Sequence, residues 1–386
     1  MRGTDRFGTL LLKLAHDQTQ DRNIVIAPLP VSLIFAAVWD GTSDSDSDEE
    51  LRNVFRWEDR QSTNIAGRML LARFAKPKPY PVSQAASAGE PESALLKHLF
   101  SGKPEELWLS GAFLYRGEGS LSNDFMDRVK FDYGFTFRAV GEHTPQSEAL
   151  LKNWDSSLPM PAVAGPNDFW IATVTHLRTA WAGNTFIYSK REKHDFTLQS
   201  GEAVPTDFLK SEVEIYPYAR TADFEAVALS CLQASIILIL PAPGKDVGDL
   251  EAALANNPNM IEPVLERRQG DVQLPPFHFS YETDLRSSLE KMGVHQIFHS
   301  VNTLMSMAPN RSGGILRGVA QKAEIIVDEN GIRADAGTIS NGAYGGILAA
   351  REPFHMDLDR PFLFIIRDNA TNSLLFAGAV MNPNLP

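Results

Sequence analysis

Cysteine, long apolar runs and excess positive charge are all scarce in this chain of 386 residues. Its single cysteine, Cys231, excludes an intrachain disulfide and a cysteine-rich metal site. The densest apolar run, Ser235 to Leu240, has the length of a strand, whereas a membrane span needs about 18 apolar residues. The sequence therefore predicts no membrane partner.

The charge balance argues against a nucleic-acid partner. Lys and Arg number 36 against 48 Asp and Glu, which gives a net charge of −12 and a pI near 5.3. A nucleic-acid-binding protein needs a basic surface that displaces counterions from phosphate, so no nucleic-acid partner is expected. The one dense basic group is interpreted as the solvated end of a strand; it consists of Lys190, Arg191, Lys193 and His194.

The sequence also lacks the signatures of common enzyme and cofactor sites. It has no Gly-x-Ser-x-Gly turn, no phosphate-binding Walker loop, no dinucleotide-binding glycine fingerprint and no His-Glu-x-x-His zinc helix. Gly293 is expected to end a helix before His295 and His299, so these histidines are not expected to share a helix face. No enzyme activity, cofactor or metal is predicted, although a Ser/His/Asp triad assembled only by the fold would leave no sequence signal.

Three alternating acidic residues, Asp44, Asp46 and Asp48, resemble the opening of a calcium-binding loop. The turn position of such a loop here holds Glu49 in place of glycine, and the closing position holds Phe55 in place of glutamate. An exposed acidic helix start is the preferred interpretation, because negative charge stabilises the N-terminus of a helix.

The first residues do not form a complete secretory leader. The apolar stretch Leu10 to Leu12 is too short, and Lys13 interrupts it. The expected location is therefore the cytoplasm or, if a leader has been removed, the secreted fraction.

Hydrophobic periodicity predicts a mixture of helices and strands. The predicted helices are Phe7–Ala15, Val31–Trp39, Asn123–Val129 and one that presents Leu285, Leu289 and Met292 on a single face. The predicted strands are 23–28, 107–115, 362–367 and 374–380, with a high β-content between Ile171 and Leu240. Because helices and strands neither alternate strictly nor segregate fully, the predicted class is α+β with large mixed or antiparallel sheets.

Short motifs form an ordered set from near the N-terminus to the last residues. They are Asn23-Ile24-Val25-Ile26-Ala27-Pro28, Trp181 to Phe186, Leu274-Pro275-Pro276-Phe277, Val327-Asp328-Glu329-Asn330-Gly331, Asp359-Arg360-Pro361-Phe362 and 375–383. Each motif is a weak signal alone. In this order and spacing, they resemble the motifs of the serpin family.

The resemblance implies a serpin fold in a single domain over residues 1–386, with three β-sheets, about nine helices and an exposed reactive-centre loop at about residues 330–356. It also implies a metastable suicide substrate. A protease cuts the loop and is held as an acyl-enzyme, and the N-terminal part of the loop then inserts into the main sheet as a new strand. The implied partner is the target protease, and a monomer is expected.

The resemblance places the hinge of this loop at Glu329 and Gly331. Side chains alternate along a strand, so every second residue must fit the buried face of the sheet. The residues that share this face are small or apolar: Ile332, Ala334, Ala336 and Thr338. The charges of Arg333 and Asp335 point the other way, which avoids a cost of several kcal/mol for each buried charge. An ordinary surface loop that alternates by chance is the competing interpretation.

Several positions depart from the family pattern. Bulky Ile332 stands where the family has Thr or Ser, and Asp335 replaces a usual Ala. Beneath the sheet that must open, Ala27 and Pro30 replace serines, and Gln321 replaces a histidine. These three residues are the implied sheet gate, in which Gln321 can still donate and accept hydrogen bonds.

The family spacing implies a scissile bond about 16 or 17 residues beyond the hinge glutamate, because an inserted strand that rises about 3.3 Å per residue must span the sheet. Counting from Glu329 leads to Gly345 and Gly346, with Tyr344 just before them. Tyr344 suits a chymotrypsin-like protease, and the glycines suit an elastase-like one. Counting back from the C-terminal motif places the bond later. Arg351 is the second candidate, as a site of cleavage without trapping.

Two functions from different classes follow from these observations. The first is a suicide inhibitor of a serine endopeptidase, with a cysteine endopeptidase as an alternative target. The second is a non-inhibitory serpin that acts as a binding or storage module and needs no fast insertion.

Overall fold

A computed structural model gives the arrangement of the chain in three dimensions. It describes residues 2–19, 21–75, 106–116, 121–140, 168–183, 185–186, 189–307, 315–332 and 352–386.

Eight α-helices and one short 3₁₀ helix lie within the described residues. The helices are α1 (Arg2–His16), α2 (Pro28–Asp40), α3 (Ser45–Phe55), α4 (Arg60–Phe74), α5 (Asn123–Tyr133), α6 (Val247–Asn256), α7 (Arg286–Met292) and α8 (Gln296–His299). The 3₁₀ helix is Glu262–Val264.

The helix α2 begins earlier than the sequence predicts. Pro28 and Pro30 lie in its first turn, where a backbone N–H has no partner inside the helix and proline is therefore tolerated. The predicted start at Val31 is wrong because Pro28 was interpreted as the end of the preceding strand. The helix is buried on nearly all sides, as its apolar composition predicts.

The acidic segment before α3 is a helix start, as expected. The Asp44 side chain accepts a hydrogen bond from the backbone N–H of Ser47 and caps the helix. Asp48 accepts hydrogen bonds from Trp39 Nε1 and from Arg60, at 2.7 and 2.9 Å. Both carboxylates thus have structural partners.

Sixteen strands lie within the described residues. They are β1 (Ile24–Ile26), β2 (Glu106–Arg116), β3 (Thr136–Val140), β4 (Asp168–Ala180), β5 (Glu192–Thr197), β6 (Ala203–Lys210), β7 (Glu214–Arg220), β8 (Phe224–Ser230), β9 (Ala234–Pro241), β10 (Glu266–Leu274), β11 (Phe277–Asp284), β12 (Ile315–Asp328), β13 (Gly331–Ile332), β14 (Phe354–Asp357), β15 (Phe362–Asp368) and β16 (Leu374–Val380).

The strands join in two hydrogen-bonded networks, and the class is α+β. One sheet has the order β11-β12-β13-β4-β2-β3, and the other has ten strands in the order β1-β16-β15-β9-β8-β7-β10-β6-β5, with β14 on β10. The β5–β6 hairpin attaches to β10 through only two residue pairs, Gln273–Lys210 and Leu274–Leu209. The serpin resemblance implies three sheets. In the described residues, the β5–β6 hairpin is continuous with the ten-stranded sheet and does not form a separate third sheet.

The core lies between the two sheets. α2 contacts β16 of the ten-stranded sheet and both β2 and β4 of the six-stranded sheet. Phe35 and Ile34 of α2 are fully buried there. This position puts the start of α2 directly beneath the six-stranded sheet.

The two ends of the chain meet beside β1. The Asn23 side chain accepts hydrogen bonds from the backbone N–H groups of Met381 and Asn382 at 2.8 and 2.9 Å, and donates one to the Asn382 carbonyl. The adjacent strand β1 pairs antiparallel with β16.

Two further findings concern the apolar segments and the single cysteine. Among the described residues, no helix has the length and apolarity required to cross a membrane. Cys231 is buried, as its apolar neighbours predict.

Candidate functional site

The predicted hinge forms a tight turn at one end of the six-stranded sheet. β12 ends at Asp328, and the backbone N–H of Asn330 donates to Asp328 Oδ1 at 2.7 Å. Gly331 has a φ of 141°, a conformation that residues with a side chain rarely adopt. The glycine therefore allows the chain to reverse into β13.

The strand β13 lies between two other strands. Ile332 is opposite Val327 of β12 on one side and opposite Thr179 of β4 on the other, and both pairings are antiparallel. The first residues of the predicted hinge are thus already part of the sheet.

At this end of the six-stranded sheet, β13 lies between β4 and β12. At the other end, β4 and β12 pair directly. β4 and β12 are direct parallel neighbours over 168–174 and 315–322. Between this closed part and β13 lie residues 175–178 and 323–326, for which the described residues give no β4–β12 pairing. The hinge therefore enters the sheet where a further strand would fit between β4 and β12.

Ile332 points into the core. Its side chain is 2% exposed and packs in the same apolar cluster as Val327 and Trp181. The serpin resemblance leads to the expectation of Thr or Ser here, and either residue would bury a hydroxyl at this position. The isoleucine buries only apolar surface, which favours the inserted position of β13.

An ion pair that the sequence did not predict holds the hinge turn. Arg191 Nη2 donates to Glu329 Oε2 at 2.8 Å, and the two side chains are 48% and 39% exposed. The solvated-strand-end interpretation holds for the exposed residues Lys190, Lys193 and His194. It is incomplete for Arg191, because the partner lies 138 residues away in the sequence.

The pKa values of the two acidic residues of the turn are shifted in opposite directions. Burial raises the pKa of Asp328, although the hydrogen bond from Asn330 opposes this. Burial also acts on Glu329, but hydrogen bonds from its own backbone and from Arg191 lower the pKa of that carboxyl. Arg191 therefore stabilises the charged form of Glu329.

Trp181, the residue that follows β4, contacts the same turn. Its indole Nε1 donates to the Asp328 carbonyl at 2.8 Å, and its ring makes an edge contact with Phe186 at a centroid distance of 5.2 Å. Its backbone N–H donates to the Asn330 carbonyl at 3.4 Å. The Trp-containing motif noted in the sequence is thus part of the hinge.

The predicted contact between Gln321 and Ala27 is present beneath the sheet. Gln321 Oε1 accepts from the backbone N–H of Ala27 at 3.0 Å, and Gln321 Nε2 donates to the Ala27 carbonyl at 2.7 Å. Gln321 is 1% exposed. Ala27 precedes α2 and has no side chain that could cap the helix, so the glutamine amide satisfies both of its backbone groups. Pro30 is buried in the first turn of α2.

Two buried hydroxyls lie on β4 beside this contact. Thr173 is fully buried and neighbours Gln321 in the β4–β12 register, while Thr175 is 5% exposed. Neither Oγ1 atom has a hydrogen-bond partner in the described part of the chain. The sequence gave no sign that these two hydroxyls lack partners.

The remaining predicted site residues lie outside the described residues. These are the hinge positions Ala334, Ala336 and Thr338 and the scissile-bond candidates Tyr344, Gly345, Gly346 and Arg351. The structure thus describes Glu329, Gly331 and Ile332 of the hinge and the three gate residues.

The described residues contain no group of three His, Cys, Asp or Glu side chains that could hold a metal ion. His299 ends α8 and hydrogen-bonds to Glu290 at 3.0 Å, whereas His295 precedes that helix. The hinge and gate offer backbone pairing positions and buried side chains, which suit an incoming strand.

Sequence comparisons match this chain to one protein family over nearly its whole length. The family model described as Serpin (serine protease inhibitor) matches residues 2–383. Serpin-Z7 from Hordeum vulgare is 25% identical over 293 residues, which are 68% of this chain and 70% of that protein.

Solved structures match over nearly the whole chain. Human thyroxine-binding globulin with thyroxine has a TM-score of 0.77 at 18% identity, with 100% of this chain and 99% of that chain covered. The mouse protein-Z dependent protease inhibitor has a TM-score of 0.77 at 16% identity, with 99% and 96% covered. At these identities the likeness shows the fold alone.

Proposed function

This chain belongs to the serpin family, and we propose that it is a suicide-substrate inhibitor of a serine endopeptidase, with a cysteine endopeptidase as a further target class. Members of this family act in general as inhibitors and not as catalysts. The protease would attack a bond between residues 338 and 351 and remain linked to the new carboxyl end as an acyl-enzyme. The preceding segment would then enter the six-stranded sheet.

The observation that carries this proposal is the position of β13 between β4 and β12. An inhibitory serpin must add a strand at this place, and here the first two residues of that strand are already paired on both sides. Insertion then continues an existing ladder and requires no new nucleation. Every further residue that enters gains backbone hydrogen bonds to two strands.

The β13 register also bears on the scissile bond. Extended antiparallel along both strands, it would bring residue 343 opposite Asp168, the first residue of β4, and residue 344 opposite Ile315, the first residue of β12. Tyr344 would thus be the last residue opposite the sheet, and Gly345 would be the first beyond it. This count favours cleavage within Tyr344–Gly346 over cleavage at Arg351, which would leave slack between the inserted strand and the acyl bond.

The sequence around that bond indicates the kind of protease. Tyr344 would occupy the apolar specificity pocket of a chymotrypsin-like enzyme, while Gly345 or Gly346 would suit the small pocket of an elastase-like one. Arg351 would attract a trypsin-like enzyme and is the second candidate.

A non-inhibitory serpin that serves as a binding or storage module is the second candidate function. The observation that favours it is the hinge itself, because the buried, bulky Ile332 stabilises β13 in place without cleavage. Such a protein would be cut in the loop without trapping the protease.

A panel of chymotrypsin-like, elastase-like, trypsin-like and papain-like proteases distinguishes the two functions. The inhibitor predicts a denaturant-resistant complex on a gel, with the mass of the protease added to that of the N-terminal fragment. It also predicts that the loop-cleaved protein unfolds at a higher temperature than the intact protein. Simple clipping by every protease, with an unchanged unfolding temperature, would contradict the proposal.

A further inference from the structure

The short strand β14 is held on β10 by two different faces. The two strands pair in parallel, and the side chains of β14 alternate between a buried and a more exposed face. Phe354 and Met356 are buried, and the Phe354 ring stacks on Tyr218 at a centroid distance of 3.9 Å. His355 and Asp357 lie on the other face. The apolar contacts do not involve titratable groups, so any pH dependence of the attachment comes from His355 and Asp357.

The ring of His355 has a carboxylate at each of its two nitrogens. Nδ1 lies 2.5 Å from Asp271 Oδ1 on β10, and Nε2 lies 3.0 Å from Asp357 Oδ1 on β14 itself. A neutral imidazole carries one N–H and has an acceptor nitrogen on its other side, whereas an imidazolium carries two N–H groups and a positive charge. A ring with carboxylates on both sides therefore suits the protonated form.

The Asp357 Oδ1 atom shows the dependence on charge most clearly. This oxygen is buried and has no hydrogen-bond partner among the described residues, although the His355 nitrogen lies within hydrogen-bonding distance. The contact is thus an attraction between charges and not a directed hydrogen bond, so it is favourable only while the ring is positive. A neutral ring would leave the buried carboxylate oxygen without compensation.

The other charged groups near His355 do not replace it. Lys210 Nζ of β6 lies 3.8 Å from Asp271 Oδ1, so it neutralises that carboxylate in part without contacting β14. The remaining charged side chains nearby have their own contacts: Arg268 lies over the Tyr218 ring, Arg220 pairs with Glu225, and Arg360 pairs with Asp359. The ion pair between His355 and Asp271 therefore links β14 to β10 directly.

We propose that His355 is a pH-sensitive clamp: its protonated ring holds β14 on β10 through Asp271 and Asp357, and loss of the ring proton loosens the strand. Both strands lie entirely within the described residues, so this inference depends neither on loop insertion nor on protease inhibition. β14 follows the segment in which the reactive loop is predicted. The clamp thus controls how firmly the chain is held on the C-terminal side of that segment.

The direction of the pH effect follows from linkage. The attached strand, with two carboxylates at the ring, binds the proton more tightly than a detached strand, so protonation and attachment strengthen each other. Histidine side chains ordinarily titrate between about pH 5 and 8. Attachment of β14 should therefore be strongest near pH 5.5 and weaken as the pH rises to 8.5. Partly exposed ion pairs are weak, so the change should be at most about fivefold.

Hydrogen exchange of the whole protein at pH 5.5, 7.0 and 8.5 tests the clamp. The measured quantity is the protection of the peptide that contains Phe354–Asp357, with each rate divided by that of the unstructured peptide at the same pH. Protection in the parent should fall by up to about fivefold between pH 5.5 and 8.5. His355→Gln keeps the ring site polar but neutral, so this fall should be absent from the variant. Effects of other titrating groups cancel in the comparison.

Two further variants keep the test decisive. Asp357→Asn keeps the shape of the side chain and removes its charge, so it should reduce the pH dependence of β14 protection. His278→Gln is the matched control, because it removes an exposed histidine that faces Glu324 on the other sheet, and it should keep the full dependence of the parent. Protection of β14 that is independent of pH in the parent, or an unchanged dependence in both His355→Gln and Asp357→Asn, would overturn the proposal.

Discussion

Arg191 and Glu329 form an ion pair with a nitrogen–oxygen distance of 2.8 Å, and it connects the residue before β5 to the turn that begins the reactive loop. Glu329 follows β12 of the six-stranded sheet, while β5 belongs to the ten-stranded one. The pair therefore links the two sheets at the point from which the loop would enter.

Replacement of Arg191 with alanine should loosen the hinge with little loss of global stability. Half-exposed ion pairs contribute about 0.2–1 kcal/mol, so amide exchange at Ile332 should accelerate by at most about fivefold. The pKa of Glu329 is lowered in the folded protein, so this contribution is present above the unfolded pKa of about 4.3 and is lost as the pH falls through the folded value.

Hydrogen exchange measured at pH 7 and near pH 3 checks both parts of this expectation. The exposed neighbour Lys193→Ala is the control and should match the parent at both values. An Arg191→Ala variant that still differs from the parent near pH 3 would show that the effect does not depend on the charge of Glu329.

Replacement of Gln321 with leucine should destabilise the intact protein. The backbone N–H and carbonyl of Ala27 would lose their partner beneath the sheet, at a cost of about 1–3 kcal/mol in the free energy of unfolding. Denaturant unfolding measures this loss. Gln61→Leu, at an exposed position of α4, should change stability by less than about 0.5 kcal/mol. Equal effects would exclude a gate role for Gln321.

Replacement of Ala336 with glutamate should abolish the rise in unfolding temperature that follows loop cleavage. If the loop inserts in the register of β13, residue 336 would share the buried face with Ile332 and lie opposite Ala323, where an unpaired carboxylate would cost several kcal/mol. Asp335→Glu keeps its charge on the opposite face and should behave as the parent does. If the two variants are equally defective, the register is shifted by one residue.

The peptide released from a denatured protease complex should begin at Gly345, Gly346 or Ile347. By the β13 register the sheet would end opposite residues 343 and 344, so a bond just beyond this point would keep the linked protease pulled against the far end of the sheet. Mass spectrometry of the released peptide identifies the bond. A stable trypsin complex whose new N-terminus is Glu352 would refute this spacing argument.

The buried pair of His16 and Glu251 should make stability depend on pH. His16 Nδ1 lies 2.8 Å from Glu251 Oε1, joining α1 to α6. Burial opposes protonation, but the hydrogen bond and charge of Glu251 raise the pKa of His16. The stabilisation is therefore complete below the unfolded pKa of about 6.5 and is lost as the pH rises through the higher folded value.

Unfolding free energies of the parent and His16→Gln, measured between pH 6 and 9, check this dependence. The parent should lose stability with rising pH relative to the variant. His278→Gln removes an exposed histidine and should keep the slope of the parent. Parallel curves for the parent and His16→Gln would rule out the pair as its source.

Local sequence patterns predicted most of the regular structure. Apolar spacing placed α1, and the alternating acidic residues from Asp44 to Asp48 indicated the exposed start of α3. The same reasoning failed at α2, because Pro28 is both an acceptable first helical residue and an apparent stop signal for the preceding strand. Propensity alone does not distinguish these two roles.

The hinge and gate contacts depend on residues far apart in the sequence. Gln321 and Ala27 are 294 residues apart, and their contact was predictable only because family motifs fix the order of the strands. Arg191 belongs to no such motif, so its pairing with Glu329 was missed. The orphan hydroxyl of Thr173 was also beyond prediction, since a missing hydrogen bond shows only in the packed structure.

The pairing of β1 with β16 determines the stage of synthesis at which the ten-stranded sheet can close. Asn23 binds the backbone of Met381, 358 residues later, and β1 has β16 as its partner in the sheet. A chain emerging from the ribosome cannot form this junction until β16 and Met381 have been synthesised. The segment between β13 and β14, where the reactive loop is predicted, emerges before β14, β15 and β16. During synthesis all strands of the six-stranded sheet are therefore available before the ten-stranded sheet can close, so the sheet that a cleaved loop would enter can assemble first.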